Sequence, residues 1–278
     1  MVALLSGCGQ GVLEPRGPVG ESERLILFDA TILMLAVVVP VIFCTLAFAW
    51  WFRSHNRHAE RRPDWEYSGR IEFVTWSIPA LIVLFLSGIA WIGSHDLDPP
   101  KPISAAATPM EIEVVSLDWK WLFIYPTEQV AAVNEMVIPV NVPVHFKLTS
   151  GSVMNSFFVP QLGSQIYTMA GMVTQLNLMA SASGSYEGLS AQFSGEGFSD
   201  MHFAVHAVSP DSYQKWLVAT HRAYQSLDAA QYALLLHPSV AESPRVYGAV
   251  TAGLFDAIVE SHGALLEAPG NAERTRRR

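Results

Sequence analysis

Two long apolar blocks occupy the N-terminal third of the sequence, and short alternating runs fill the rest. The first block extends from about Leu25 to Phe52 with a single acid, Asp29; the second, from about Phe73 to Ile92, carries no charge. A helix needs roughly 20 apolar residues to cross the hydrocarbon core of a bilayer, so both blocks are predicted to span a membrane. Buried core helices are the alternative, but these are seldom so long and apolar on every face. Pro40 and Pro79 fall inside the blocks, which membrane helices tolerate when neighbours re-satisfy the backbone. Trp50, Trp51 and Trp91 lie near block ends, where tryptophan anchors a helix at the interface.

From about Met110 the period changes to two. Glu111-Ile112-Glu113-Val114-Val115, Val144-His145-Phe146-Lys147-Leu148 and Val173-Thr174-Gln175-Leu176-Asn177-Leu178 read as strands. Turn residues separate such runs at intervals of roughly 8–12 residues, the spacing of a β-sandwich or barrel. Seven or eight strands are expected up to about Val208, with Pro139 and Pro143 bracketing a turn or an edge strand. At Ser209-Pro210-Asp211 the signal turns helical: an N-cap, a proline at the first position and an acid in the first turn. That helix is expected to run to about Ser226. Further helical stretches are expected at Ala229–Leu236 and Val250–Glu260, closed by Pro238 and Gly263. The expected organisation is an N-terminal segment (1–24), a helical hairpin (25–93), an exported β domain (94–209), a helical arm (210–265) and a disordered basic tail (266–278) ending Arg274-Thr275-Arg276-Arg277-Arg278.

Charge orients the hairpin. The link between the blocks holds Arg53, Arg57, Arg61, Arg62 and Arg70, whereas Asp96 and Asp98 follow the second block. Basic loops stay in the cytoplasm, so both termini face outward and everything after about Ser94 is expected on the periplasmic side of a bacterial inner membrane. Only 15% of the 278 residues are charged while 50% are apolar, against about 25% charged in soluble domains. The net charge of −8 argues against nucleic acid as a partner, since a phosphate-binding domain is usually basic. Two cysteines, Cys8 and Cys44, are too few for a disulfide framework or a multi-thiolate metal site. Leu5-Ser6-Gly7-Cys8 matches a bacterial lipobox, making Cys8 a candidate for diacylglycerol attachment and fatty acylation; an unmodified cysteine is the alternative. A signal needs an apolar stretch of roughly 7–15 residues. Only Val2–Leu5 stands ahead of Cys8, so the true start is expected upstream.

Three stretches carry the chemistry. They are Asp118-Trp119-Lys120-Trp121-Leu122-Phe123-Ile124-Tyr125-Pro126, Val153-Met154-Asn155-Ser156-Phe157-Phe158-Val159-Pro160-Gln161-Leu162-Gly163, and Ser190-Ala191-Gln192-Phe193-Ser194-Gly195-Glu196-Gly197-Phe198-Ser199-Asp200-Met201. Behind a two-helix hairpin, they resemble the aromatic segment and the two ligand regions of subunit II of the haem–copper terminal oxidases, over Cys8 to about Ala219. The resemblance implies a transmembrane hairpin followed by a cupredoxin-like β-sandwich. Copper-bearing members hold two copper ions with two cysteines, two histidines, a methionine and a glutamate carbonyl. Here the cysteine positions are Ser190 and Ser194, the glutamate position is Gln192, the histidine positions are Asn155 and Phe198, and only Met201 keeps its identity. Copper and electron transfer call for soft thiolates and imidazole; a serine hydroxyl cannot bridge two coppers and Phe198 has no lone pair. The loss points to the cytochrome o type ubiquinol oxidases, whose lipid-soluble donor delivers electrons within the membrane.

The resemblance implies a respiratory complex that oxidises ubiquinol, reduces dioxygen to water and pumps protons. Haems and copper are expected on subunit I, with no cofactor and no catalytic residue on this chain. Its expected partners are subunit I, the other oxidase subunits and membrane lipid, and not cytochrome c. Glu72, at the cytoplasmic start of the second helix, could mark the mouth of a proton-uptake path by the same resemblance; an interfacial acid favoured by the helix dipole is the other reading. His202 and His206 share one strand face but lack a third ligand for zinc, and Trp119 and Trp121 are expected to be packing residues. Two rival readings stand beside this one: a copper-bearing cytochrome c oxidase subunit, against which the substituted ligands argue, and a free-standing cupredoxin-like lipoprotein, for which a two-helix hairpin would be an excess.

Overall fold

The computed structural model describes residues 11–60 and 63–267. Arg61, Arg62, Cys8 with its lipobox, and the tail from residue 268 lie outside them. The chain divides into two compact units: residues 24–97, and residues 1–23 together with 98–278.

The smaller unit is helical. α1 runs Pro18–Trp51 and α2 Gly69–Asp96; polar turns extend α1 ahead of its apolar block and α2 beyond its block at both ends. Both are long and apolar enough to cross a membrane. Pro40 and Pro79 stay within their helices. A Cβ on Gly93 would lie 2.7 Å from Ile26 Cδ1, so glycine lets α1 and α2 approach closely.

Among the described residues, the larger unit contains ten strands before the arm: β1 (Met110–Leu117), β2 (Lys120–Tyr125), β3 (Val130–Val133), β4 (Glu135–Pro139), β5 (Val144–Ser150), β6 (Asn155–Val159), β7 (Gly163–Thr168), β8 (Thr174–Leu178), β9 (Gly184–Ser190) and β10 (His202–Val208). The expectation of seven or eight is corrected, and one asparagine accounts for part of the difference. Residues 130–139 hold two apolar runs on either side of Asn134-Glu135, and Asn134 takes a positive φ of 54°. A short polar side chain tolerates that conformation, and the break sends β3 and β4 to different sheets.

The arm follows: α3 (Pro210–Thr220), β11 (Ser226–Leu227), α4 (Ala229–Leu235), β12 (Arg245–Tyr247), β13 (Ala249–Val250) and α5 (Leu254–Glu267). Ser209 caps α3, its hydroxyl accepting from Ser212 N at 3.3 Å, but the helix stops at Thr220, short of Ser226. The stretch expected to be helical from Val250 begins at Leu254, because residues 249–250 pair with β11, and it continues past Gly263.

One sheet has the order β12-β3-β2-β1-β5-β8, the other β4-β10-β9-β6-β7. They enclose a core in which Phe157 stacks on Phe203 at 5.2 Å and meets Trp121 edge-on at 5.5 Å. Burying such a ring fully contributes about 1.5–3 kcal/mol. The Tyr125 hydroxyl ties the sheets together, donating to Val137 O and accepting from Val137 N at 2.9 Å. At β2 and β3 the six-stranded sheet is buried on both faces. Trp121, Phe123 and Tyr125 point into the sandwich, while Leu122 and Ile124 join Val115, Leu117 and Val133 in a second core with Tyr232, Leu235, Tyr247, Phe255 and Ile258 of the arm. A strand covered on both sides reads as a continuous apolar run rather than an alternating one, which is why Trp121–Tyr125 has no polar position.

Residues 14–23 dock on the β6–β7 corner. Arg16 N donates to Gln161 O at 2.6 Å, Gly20 N to Leu162 O at 3.1 Å, and Glu23 Oε1 accepts from both the amide and the hydroxyl of Ser164 at 2.8 Å.

Candidate functional site

The sandwich brings the three motif stretches together at one end. Asn155 opens β6, Ser190 closes β9, and the register pairs Phe157 with Ser190 across these neighbours. Residues 191–201 form the loop from β9 to β10, with a short 3-10 turn at Phe198–Asp200. Met201, 1% exposed, ends the loop against the core.

Several of the positions that the resemblance sets against copper ligands bond one another. Ser190 Oγ donates to Asn155 Oδ1 at 3.1 Å and lies 3.2 Å from Gln192 O. Asn155 Nδ2 donates to Val153 O at 3.1 Å. Ser194 Oγ stands 3.9 Å from Met201 Sδ, a weak contact. Backbone bonds close the loop at its base: Ser190 N to Met201 O at 3.1 Å, and Ala191 N to Ser156 O at 2.9 Å. Phe198 takes no part in this cluster; its ring packs edge-on against Phe193 at 5.6 Å.

This donor set does not fit copper. Its hydroxyls and amide are hard, neutral groups engaged with each other, Phe198 offers no lone pair, and one thioether remains. Among the described residues no cluster of three histidine, cysteine, aspartate or glutamate side chains is placed to hold a metal. His202 and His206 instead meet carboxylates on the adjoining strands, Glu187 at 3.0 Å and Glu135 at 3.5 Å.

The aromatic stretch forms the β1–β2 turn beside the loop. The Asp118–Trp119 peptide is cis. Trp119 Nε1 donates to Ser194 O at 2.9 Å, and its indole lies flat over Gly197, where an added Cβ would come within 2.5 Å of the ring. Trp121 is buried in the core. Glu72 lies in the other unit, in the first turn of α2, its amide bonded to Ser68 O at 3.0 Å.

Two groups of note were not singled out from the sequence. Lys120, 2% exposed, faces the arm and donates to His237 O at 2.8 Å and to the Ser239 hydroxyl; burial pushes its ammonium below the usual lysine range, an effect opposed by Glu242. A lysine opening an otherwise apolar strand was its only signal. Glu113 faces α5 in a small cavity of about 160 Å³, shared with Asp256, Gln129 and Thr251. Burial, reinforced by Glu111 and Asp256, raises its carboxyl to about 7.

Fold and site together define the class. Residues 110–208 match the family described as Cytochrome C oxidase subunit II, periplasmic domain, and residues 223–261 match the COX Aromatic Rich Motif. A solved periplasmic domain of subunit II of cytochrome oxidase from Bradyrhizobium japonicum covers 43% of this chain and 96% of its own, at 21% identity and a TM-score of 0.40, too distant to add to the assignment. The chain thus resembles the subunit II class, with two apolar helices ahead of a cupredoxin-like sandwich.

Full-length relatives narrow the class. The cytochrome bo(3) ubiquinol oxidase subunit 2 of Pseudomonas aeruginosa is 48% identical over 94% of this chain and 80% of its own length. The ubiquinol oxidase subunit 2 of Acetobacter aceti is 50% identical over 93% and 85%, and the quinol oxidase subunit 2 of Bacillus cereus 35% over 86% and 84%. This chain belongs to the ubiquinol oxidase subunit 2 family.

Proposed function

We propose that this chain is the membrane-anchored, metal-free subunit II of a proton-pumping ubiquinol oxidase that reduces dioxygen to water. It serves as a structural and assembly subunit, with haems and copper on subunit I and no role for cytochrome c. The observation that carries the reading is the closed set of hydrogen bonds joining Asn155, Ser190 and Gln192 where a copper centre would need thiolates and imidazoles. An electron relay through this domain would have no carrier. A donor dissolved in the membrane can reach subunit I directly and makes the relay dispensable.

In this reading α1 and α2 form a hairpin in the inner membrane, with the basic link inside and the sandwich and arm in the periplasm. The division at residues 24, 94 and 210 separates N-terminal segment, anchor, sandwich and arm. Copper analysis of the separated, folded chain tests the central point: less than a tenth of an ion per chain is expected, and two ions bound per chain would overturn the reading. Cys8 carries a lipid on its sulfur, a second anchor beside two spanning helices. A single acyl chain binds membranes only marginally, so Cys8→Ser leaves the chain in the membrane fraction. Mass spectrometry of the mature N-terminus checks the modification, and an unmodified Cys8 would refute it.

A further inference from the structure

We infer that the arm has a positioning function: residues 237–242, acting through Lys120 and Trp119, hold the 190–201 loop in shape where no metal ties it. Metal–ligand bonds would fasten such a loop at several points. Here Ser190 and Ser194 tie it only through one hydroxyl proton, within reach of Asn155 Oδ1 and Gln192 O, and one long hydroxyl–thioether contact, and net hydrogen bonds of this kind contribute only modestly. A loop containing Gly195 at φ 116° and Gly197 needs further constraint to keep one conformation.

The constraint reaches it from the arm in two steps. Between α4 and β12 the chain crosses the β1–β2 turn as a strap. Ser239 N donates to Asp118 O at 3.0 Å and Trp119 N to Ser239 O at 3.4 Å, so the strap pairs with the turn through its backbone. Lys120 adds its ammonium to His237 O and the Ser239 hydroxyl. Further along, Asn134 Nδ2 donates to Glu242 O at 2.8 Å while its Oδ1 accepts from Trp121 N at 2.8 Å, fastening the strap to the strand that follows the turn. A buried ammonium is costly unless its hydrogen bonds are met, so the turn and the strap stabilise each other or neither is stable.

The second step is Trp119. The turn presents its indole to the loop, where Nε1–H meets Ser194 O and the ring covers Gly197 closely enough to exclude any side chain there. Strap, turn and loop are therefore one contact chain, running from the outer face of the six-stranded sheet to the loop end of the sandwich.

Amide hydrogen exchange on the full-length chain in its detergent-solubilised complex tests this. Lys120→Met keeps the aliphatic stem and removes the donor; exchange should rise about tenfold in both 237–242 and 190–201, roughly the loss of one charge-assisted hydrogen bond. Trp119→Phe removes the indole N–H and part of the ring that covers Gly195 and Gly197, and should speed 190–201 while 237–242 keeps its native rate. Slow exchange in β5 and β10 shows that a variant is folded; should Lys120→Met fail that check, Ser239→Ala is read in its place. A folded strap variant that frees 237–242 but leaves 190–201 at the native rate overturns the inference, as does Trp119→Phe with unchanged exchange in 190–201.

Discussion

Glu72 carries the prediction that reaches furthest beyond this chain. It stands in the first turn of α2, where a helix N-terminus favours a negative charge. As a proton collector at the cytoplasmic face it would matter to turnover; as a dipole partner it would matter only to the helix, by about 0.3–1 kcal/mol. Glu72→Gln separates the two. The expected outcome is slower turnover with normal assembly and haem content, milder in Glu72→Asp, read from oxygen uptake across the working pH range. Wild-type turnover in Glu72→Gln would leave the acid as an ordinary interfacial residue. At this scale the expectation that copper ligands are lost rests on residue type alone: Ser190 and Ser194 offer hydroxyls and Phe198 offers no donor atom. The replacement network was not legible. That Ser190 bonds Asn155 while Phe198 turns away to Phe193 depends on which side chains the two loops bring face to face.

Among the elements, the six-stranded sheet and the arm upon it carry most of what the sequence concealed. The hairpin and the start of α3 were readable because hydropathy over long windows and capping chemistry are local. The arm's strands were not: Arg245–Tyr247 becomes β12 by pairing with the edge of β3. Within the sandwich, the polar pair Asn134-Glu135 marks a break, but that it sends β3 and β4 to different sheets depends on the positive φ of Asn134. The second core also creates a pH dependence. Glu113 on β1 faces Asp256 in the first turn of α5, with Glu111 beside it and Lys147 from β5 drawn to Glu111 at 3.0 Å. Its carboxyl is raised from 4.5 to about 7, so the folded state binds more protons than the unfolded state between those values. Stability therefore falls as pH rises through that window. Glu113→Gln removes the titration. Its thermal midpoint should match the wild type near pH 5 and exceed it near pH 8; a variant less stable than the wild type near pH 8 would show that the charged carboxylate is stabilising.

For the molecule as a whole, anchor and sandwich follow the pattern of subunit II, while the loop end that would bear copper is fastened by hydrogen bonds and by the arm. The chain's size and apolar surface fit a component of a larger assembly: α1 and α2 display exposed Phe43, Leu46, Phe73, Trp76 and Trp91, which need lipid or protein around them. The central claim is that such an assembly takes its electrons from quinol and not through this domain. Oxygen uptake by the complex captured from membranes through a tag on this chain tests it most directly. With ubiquinol as donor the account predicts sustained uptake, and with reduced cytochrome c no uptake above background. Uptake driven by cytochrome c, or capture of the chain without a haem protein, would contradict it.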